Sequence, residues 1–229
     1  MRITISKSIL DTLPDFSIVA LKMDVSAYET NSDIKELINK YQKDIKEEYS
    51  SLEEVLNIPL IKNARDGYKK LGKDPSRYRL ACESLLRRIV KGNDLYIINN
   101  LVDIGNILSI DFKRSTAVLD YDKIDGDIVI RKGLASDVYE GIGRGIINVE
   151  NIPVYEDNIS PFGSTTSDTM RTSVSLDTKH MLLFIVCFDC DNHDYETSKA
   201  IEYYTKYADA KNIEIINVEK EKWMKVQIS

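Results

Sequence analysis

RDGYKKLGKDPSRYRLACESLLRRIVKGNDLYIINNLVDIGNILSI, residues 65–110, holds both dense polar clusters of this chain. In its first half Leu85, Leu86 and Ile89 fall at spacings that suit the buried stripe of a helix. Glu83, Arg87 and Arg88 then lie to one side of that stripe. Glu83 and Arg87 form an i,i+4 pair of the kind common on solvated helix faces. Gly92 reads as the helix stop. In the second half Asp103, Asn106 and Ser109 recur every third position, and Leu101, Val102, Ile104, Ile107, Leu108 and Ile110 fill the spaces. A three-residue step keeps the polar trio on one slowly drifting stripe, and the apolar surround predicts a buried helix. Buried carboxylate and amide groups need partners. Two readings meet that need. One is a network tying the helix to neighbouring backbone. The other is the wall of a concave pocket, with Asp103 and Asn106 buried and hydrogen-bonded in it.

Before this stretch, MRITISKS and FSIVALKMDV read as strands, with a turn around Pro14 between them. Ser32 is a candidate N-cap for a helix running to about Asn57, broken near Ser50 and Ser51. Pro59 opens a further helix that ends at Leu71 and Gly72, and Lys73, Asp74, Pro75 and Ser76 form a turn. After it comes a β-rich half. Strands are expected at 117–121 and 127–131, joined as a tight hairpin by Asp125 and Gly126. Residues 133–145 carry four glycines. The GIGRG within them lacks the strand, helix and Lys–Ser/Thr ending of a phosphate loop. A short strand at 152–155 precedes a Ser/Thr/Gly-rich loop at 160–169. Strands follow at 172–176 and 180–188, the second so continuously apolar that it should be central. A helix at 194–209 and a strand at 212–218 close the pattern.

Composition bounds the function. The 229 residues are 43% apolar, suit one large domain and carry a net charge of −6. That balance disfavours broad nonspecific nucleic-acid binding, which rests on phosphate neutralisation, but allows a local basic patch. MRITISKSIL has no long apolar run and no segment reaches membrane-spanning length, so a reducing, cytoplasmic location is expected.

Cys187, Cys190 and His193 have the spacing of half a zinc site, with Cys82 or His180 as a possible fourth ligand. A three-residue offset from a strand turns Cys190 to the face opposite Cys187, so neither zinc nor another cofactor is expected. No Ser–His–Asp arrangement is readable. In SDTMRTSVSLDTK, however, Asp168, Arg171, Thr172, Asp177, Thr178 and Lys179 gather hydrogen-bonding groups. Arg171 could pair bidentately with a ligand carboxylate or phosphate, or these groups could satisfy their own turn.

The ordered series LPDFSIVALKMDV, RDGYKKLGKDPSRYRLACESLLRRIVKG, INNLVDIGNILS, LDYDKIDGDIVIRKG and RTSVSLDTKHMLLFIVCFD resembles the B3/B4 domain of the phenylalanyl-tRNA synthetase beta subunit, over roughly residues 10–195. The most specific piece is ESLLRR followed by NNLVDIGNILS. The resemblance implies an α+β fold: a single domain, 1–229, with packed β-layers of the B3/B4 type flanked by helices. In the synthetase this domain hydrolyses tyrosine wrongly attached to the phenylalanine tRNA. Carried over, the pocket would be lined or braced by Asp103, Asn106 and Ser109, by the segment before Asp120, and by Arg171, Thr172 and Thr178. One departure stands out: Ala117 occupies the position where the synthetase has a histidine. The anticodon-binding and catalytic modules have no counterpart, so aminoacylation is not expected.

Two function classes stay open. One is a free-standing domain that binds tRNA or aminoacyl-tRNA and hydrolyses misacylated tRNA in trans, through a positioned water rather than a covalent nucleophile. The other is a non-enzymatic module for a free amino acid or small carboxylate. Neither implies DNA or membrane as partner. A basic rim made by Lys69, Lys70, Arg77, Arg79, Arg87 and Arg88 would favour RNA. Within it Lys69, Lys70, Arg87 and Arg88 are the first candidates for phosphate contacts.

Overall fold

The computed structural model describes residues 1–221. The first half runs β1 (Ile3–Ile5), α1 (Lys7–Leu10), β2 (Ser17–Asp24), α2 (Ser32–Glu48), α3 (Leu52–Asn57), α4 (Pro59–Leu71), α5 (Ala81–Val90) and α6 (Asn100–Phe112). The second half runs β3 (Thr116–Asp120), β4 (Ile128–Lys132), β5 (Val138–Gly141), β6 (Gly145–Asn148), β7 (Pro153–Glu156), β8 (Pro161–Ser164), β9 (His180–Cys187), α7 (Asp194–Ala208), β10 (Lys211–Ile216) and β11 (Val218–Lys220). Among the described residues the strands form a five-stranded sheet, β11-β1-β4-β7-β8, a four-stranded sheet, β10-β2-β9-β3, and the separate β5-β6 hairpin. The fold is α+β, with two packed β-layers and helices against one of them.

The continuous apolar run of β9 sets this layering. Leu182, Phe184 and Val186 point to one face of the four-stranded sheet and pack with Ile3, Ile5, Ile128, Ile130, Tyr155 and Phe162 of the five-stranded sheet. Met181, Leu183, Ile185 and Cys187 alternate to the other face and meet the helical core of Ile34, Tyr68, Leu86, Ile104 and Tyr204. With β2 and β3 paired on either side, β9 is buried on both faces and along both edges. Burying such a side chain contributes about 1.5–3 kcal/mol, so the strand is the centre of the fold.

The helix of LVDIGNILSI packs against this layer. It is buried nearly all round, as its composition required. Gly105 lets it sit close on β3: an added Cβ would collide with Val118. The long first helix divides where expected, because Ser51 caps α3 through the Glu54 N–H at 3.2 Å and Glu54 in turn accepts the Ser50 N–H at 2.6 Å. The start differs by one residue: Asn31, not Ser32, caps α2.

Three expectations are corrected. Strand β1 stops at Ile5, because the Ser6 hydroxyl accepts the Ser8 N–H and starts α1. The turn at Asp125 and Gly126 does not close a hairpin, since β3 pairs with β9 in one sheet and β4 pairs with β1 and β7 in the other. Gly126 does adopt a positive φ of 78°, but the turn carries the chain between layers. Residues 172–176 are not a strand. They make one bridge, Ser173 to Leu119, and the Thr178 hydroxyl takes the Ser175 N–H instead of a ladder partner. Among the described residues no helix is long and apolar enough to cross a membrane.

Candidate nucleic-acid interface

Helix α4 ends at Gly72, whose φ of 96° only glycine adopts freely. The turn that follows is fixed from both ends. Lys73 is buried, and its ammonium donates to the Asn148 carbonyl at 2.9 Å, the Asn148 side chain at 2.9 Å and the Glu150 carbonyl at 2.8 Å. It also lies 3.7 Å from the centre of the Tyr78 ring. Burial lowers its pKa. Arg65 of α4 donates to the Pro75 carbonyl at 3.0 Å and to both carboxylate oxygens of Glu83, at 3.0 and 2.9 Å. Glu83 is fully buried, with Arg87 at 3.6 Å as its second cation. Glu83, which its i,i+4 spacing to Arg87 suggested was a surface group, is thus buried and, through Arg65, anchors the turn to α5.

Between this turn, α5 and the β5-β6 hairpin lies an open cavity of about 540 Å³. Six cations line it: Arg77, Arg79, Arg87, Arg88, Lys91 and Arg144. No Asp or Glu is among its lining residues. Arg88 donates to the Asp94 carbonyl at 2.5 Å and lies 3.9 Å from the centre of the Tyr96 ring, so it engages no carboxylate. Arg77, Arg79, Lys91 and Arg144 take part in no salt bridge among the described residues. Asp74 is near Arg77, but its carboxylate is held low first by the Ser76 hydroxyl and N–H. In a chain of net charge −6, this concentration of positive charge, of which only Arg87 is paired with a carboxylate among the described residues, is a local inversion. Such a field attracts polyanions. Arg144 reaches it from the glycine-rich hairpin tip, where Gly143 and Gly145 have φ of 66° and 68°.

Below the cavity lies a buried polar nest. Thr166 lines the cavity floor and bonds the Tyr68 hydroxyl at 3.0 Å, which also bonds Thr165. Tyr139 of the hairpin donates to the Ser167 carbonyl at 2.5 Å, and its hydroxyl is hydrogen-bonded with that of Ser164 at 2.6 Å. Asp168 belongs to the same loop. Its backbone carbonyl accepts the Ile142 N–H at 3.0 Å. Its Oδ1 is sealed from solvent with no hydrogen-bond partner, as are the hydroxyls of Tyr155 and Thr169. Burial pushes the Asp168 carboxyl up to about 7, opposed only by the Ser164 N–H.

The residues expected to form a pocket do not meet at this cavity. Asp103 is fully buried, accepting from Thr30 Oγ1 at 2.5 Å and from the Ile98 N–H at 3.1 Å. Desolvation raises its pKa. Ser109 donates to the Arg114 carbonyl at 2.8 Å. Asn106 is half-buried. All three sit on α6 away from the cavity, and Asp103 and Ser109 tie the helix to neighbouring chain. Arg171 is bidentate to Asp157, both contacts at 2.9 Å. Thr172 donates to the Phe162 carbonyl at 3.3 Å and Thr178 to Asp120 at 2.8 Å. These groups stitch 120–125, 157–160 and 171–178 together and line no described cavity. Ala117 is 2% exposed and packs between the two sheets. Of the four cations placed first, Arg87 and Arg88 line the cavity. Lys69 pairs with Asp66 at 2.9 Å, and Lys70 borders a different hollow beside Phe188 and Cys190. Cys187 is buried and Cys190 exposed, on different surroundings. Lys91, Arg144 and Tyr78 were missed. Their available signal was an arginine flanked by glycines and a Tyr set between Arg77 and Arg79.

The B3/4 domain family model matches residues 63–215, well over half of the 229. The chain belongs to the B3/4 domain family. The match begins later and extends further than the resemblance quoted above, taking in α7 and most of β10. Every cation of the cavity falls within the family span. Among solved structures, an N-terminal fragment of the phenylalanyl-tRNA synthetase beta-subunit from Pyrococcus horikoshii is similar at 10% identity and a TM-score of 0.49, covering 97% of this chain and 52% of that one. The B3/4 chain thus spans about half the length of that fragment. No curated protein matches it in sequence.

Proposed function

We propose that this B3/4 domain binds RNA of the tRNA class, with the six-cation cavity as its phosphate-binding surface. The observation that carries the reading is the convergence of Arg77, Arg79, Arg87, Arg88, Lys91 and Arg144 on one concavity without an acid in its lining. Phosphate contacts by Arg and Lys supply most sequence-independent affinity for nucleic acid. Membership of the B3/4 family supports tRNA as the form of RNA, and aminoacyl-tRNA as the charged form. Hydrolysis of a misacylated tRNA in trans is the finer reading. With Ala117 packed in the core, the ester would be held by other groups and attacked by a positioned water.

Arg77→Gln with Arg79→Gln is the clean test, since both side chains are exposed and outside the Glu83 anchor. Filter binding of tRNA across a salt series should show weaker binding, with the log–log salt slope falling by about one to two units. The thermal midpoint should stay put, because such surface changes cost within about 0.5 kcal/mol. A slope unchanged by the two substitutions would remove the cavity from the interface. Deacylation of a panel of mischarged tRNAs tests the hydrolytic reading, and binding without faster deacylation would leave a binding module.

A second reading has one observation in its favour. A cavity of about 540 Å³ is within the usual range for small-ligand sites, and guanidinium groups pair well with carboxylates. A free amino acid or small carboxylate is the occupant then. Undetectable tRNA binding at low salt, with a calorimetric signal for an amino acid, would establish it in place of RNA.

A further inference from the structure

We infer that the cavity takes unpaired RNA, a single strand with its bases turned inward, and discriminates against duplex. The inference rests on the RNA reading above and names the form of RNA. Three observations carry it.

The cations do not form a stripe along a convex surface. They surround a concavity with α5 on one side and the β5-β6 hairpin on the other. A duplex presents its phosphates on the outside of a stiff cylinder, with its bases hidden, and cannot bring them to the bottom of such a hollow. A flexible single strand can.

The same walls carry apolar surface that phosphates leave unused. Tyr78 lines the cavity with one ring face taken by the Lys73 ammonium at 3.7 Å, which fixes the ring and makes it a platform. Across from the turn, the hairpin contributes Ile147 and Ile146, the latter 78% exposed. Such apolar surface set among arginines suits contact with a base. Cations interleaved with ring and apolar surface are the common design of single-strand sites.

The third observation is at the rim. Arg88 lines the cavity and sits 3.9 Å from the centre of the Tyr96 ring, and Tyr96 is 66% exposed and followed by exposed Ile97 and Ile98. A chain leaving the cavity past Arg88 meets a second aromatic face, so the track is longer than one nucleotide.

The test is fluorescence anisotropy on the full chain with two labelled probes: an unstructured RNA of about ten nucleotides, and the same sequence in a blunt duplex. The single strand should bind about tenfold more tightly or better, the effect of stacking one or two bases. Ile146→Ser and, separately, Tyr78→Leu should each reduce that preference several-fold while leaving duplex binding unchanged. Ile146 is exposed enough for its variant to fold, and a thermal melt checks Tyr78→Leu. Equal affinity for the two probes, or a preference unmoved by Ile146→Ser, would overturn the inference and leave the RNA reading standing. Binding of neither probe, nor of tRNA, would overturn both. Tight binding of free nucleotides at the affinity of the oligomer would overturn the extended track.

Discussion

Arg65→Met should destabilise the protein by about 3–5 kcal/mol, the usual cost of leaving a buried charge without its partner. Glu83 is fully inside the protein, and Arg65 holds both of its oxygens. Arg87, at 3.6 Å, is too loosely placed to replace a contact of 2.9 Å. Without Arg65 the buried carboxylate is left with one distant cation. For a domain of this size the loss corresponds to a fall of roughly 10 °C in the midpoint of thermal unfolding. The double variant Arg65→Met with Glu83→Met removes both charges and should recover most of the loss, since apolar replacements of buried pairs are often neutral. Part of the deficit should remain, because Arg65 also holds the Pro75 carbonyl. A double-mutant cycle by denaturant unfolding reads these values. An Arg65→Met cost under about 1 kcal/mol would mean that Glu83 is not a buried, paired carboxylate.

Asp168→Asn should stabilise the protein, and more so as pH rises. The Asp168 carboxyl is pushed up to about 7 by burial, against an ordinary value near 3.9. The sign follows from proton counts. Between those two values the native state keeps a proton that the unfolded chain has released, so stability falls with rising pH and the penalty is complete above about 7. At 1.36 kcal/mol per unit the full penalty is on the order of 4 kcal/mol. Asparagine keeps the shape and never ionises. The advantage of Asp168→Asn over the natural chain should therefore grow by about 2–4 kcal/mol between about pH 4.5 and about pH 8. Other carboxylates are lowered, Asp157 beside Arg171 among them, and give the opposite slope. The difference between the two proteins at each pH cancels them. Parallel pH profiles would show that Asp168 is ionised and satisfied in the native state.

Much of the architecture was readable in advance because it follows from local burial. The apolar run at 180–187 could only be a strand covered on both faces, and the apolar surround of Asp103 could only be a buried helix. The connection at Asp125 and Gly126 was not readable. The same turn chemistry serves a hairpin or a crossing between layers, and the choice was made by β1 and β9, which lie far away in sequence. The polar series on α6 left two readings open for a related reason. A buried Asp needs partners whether a pocket or a backbone supplies them, and here Thr30 and Ile98 supply them. Arg171 could reach a ligand or a neighbour, and Asp157 stands opposite it. The cavity joins a turn, a helix and a hairpin tip. Arg77, Arg79, Arg87 and Arg88 could be suspected from their own neighbourhood. That the hairpin would fold back and bring Arg144 to them depends on Lys73 reaching Asn148 and on Tyr139 reaching Ser164, contacts with no trace in local pattern.

Ultraviolet crosslinking of bound tRNA, followed by mass spectrometry of the nucleotide-bearing peptides, tests the central claim most directly. The adducts should concentrate on the peptides containing Tyr78, Tyr96 and Ile146, and should vanish for Arg77→Gln with Arg79→Gln at salt concentrations where the natural chain still binds. Adducts confined to α7 and β10, which line no part of the cavity, would contradict it.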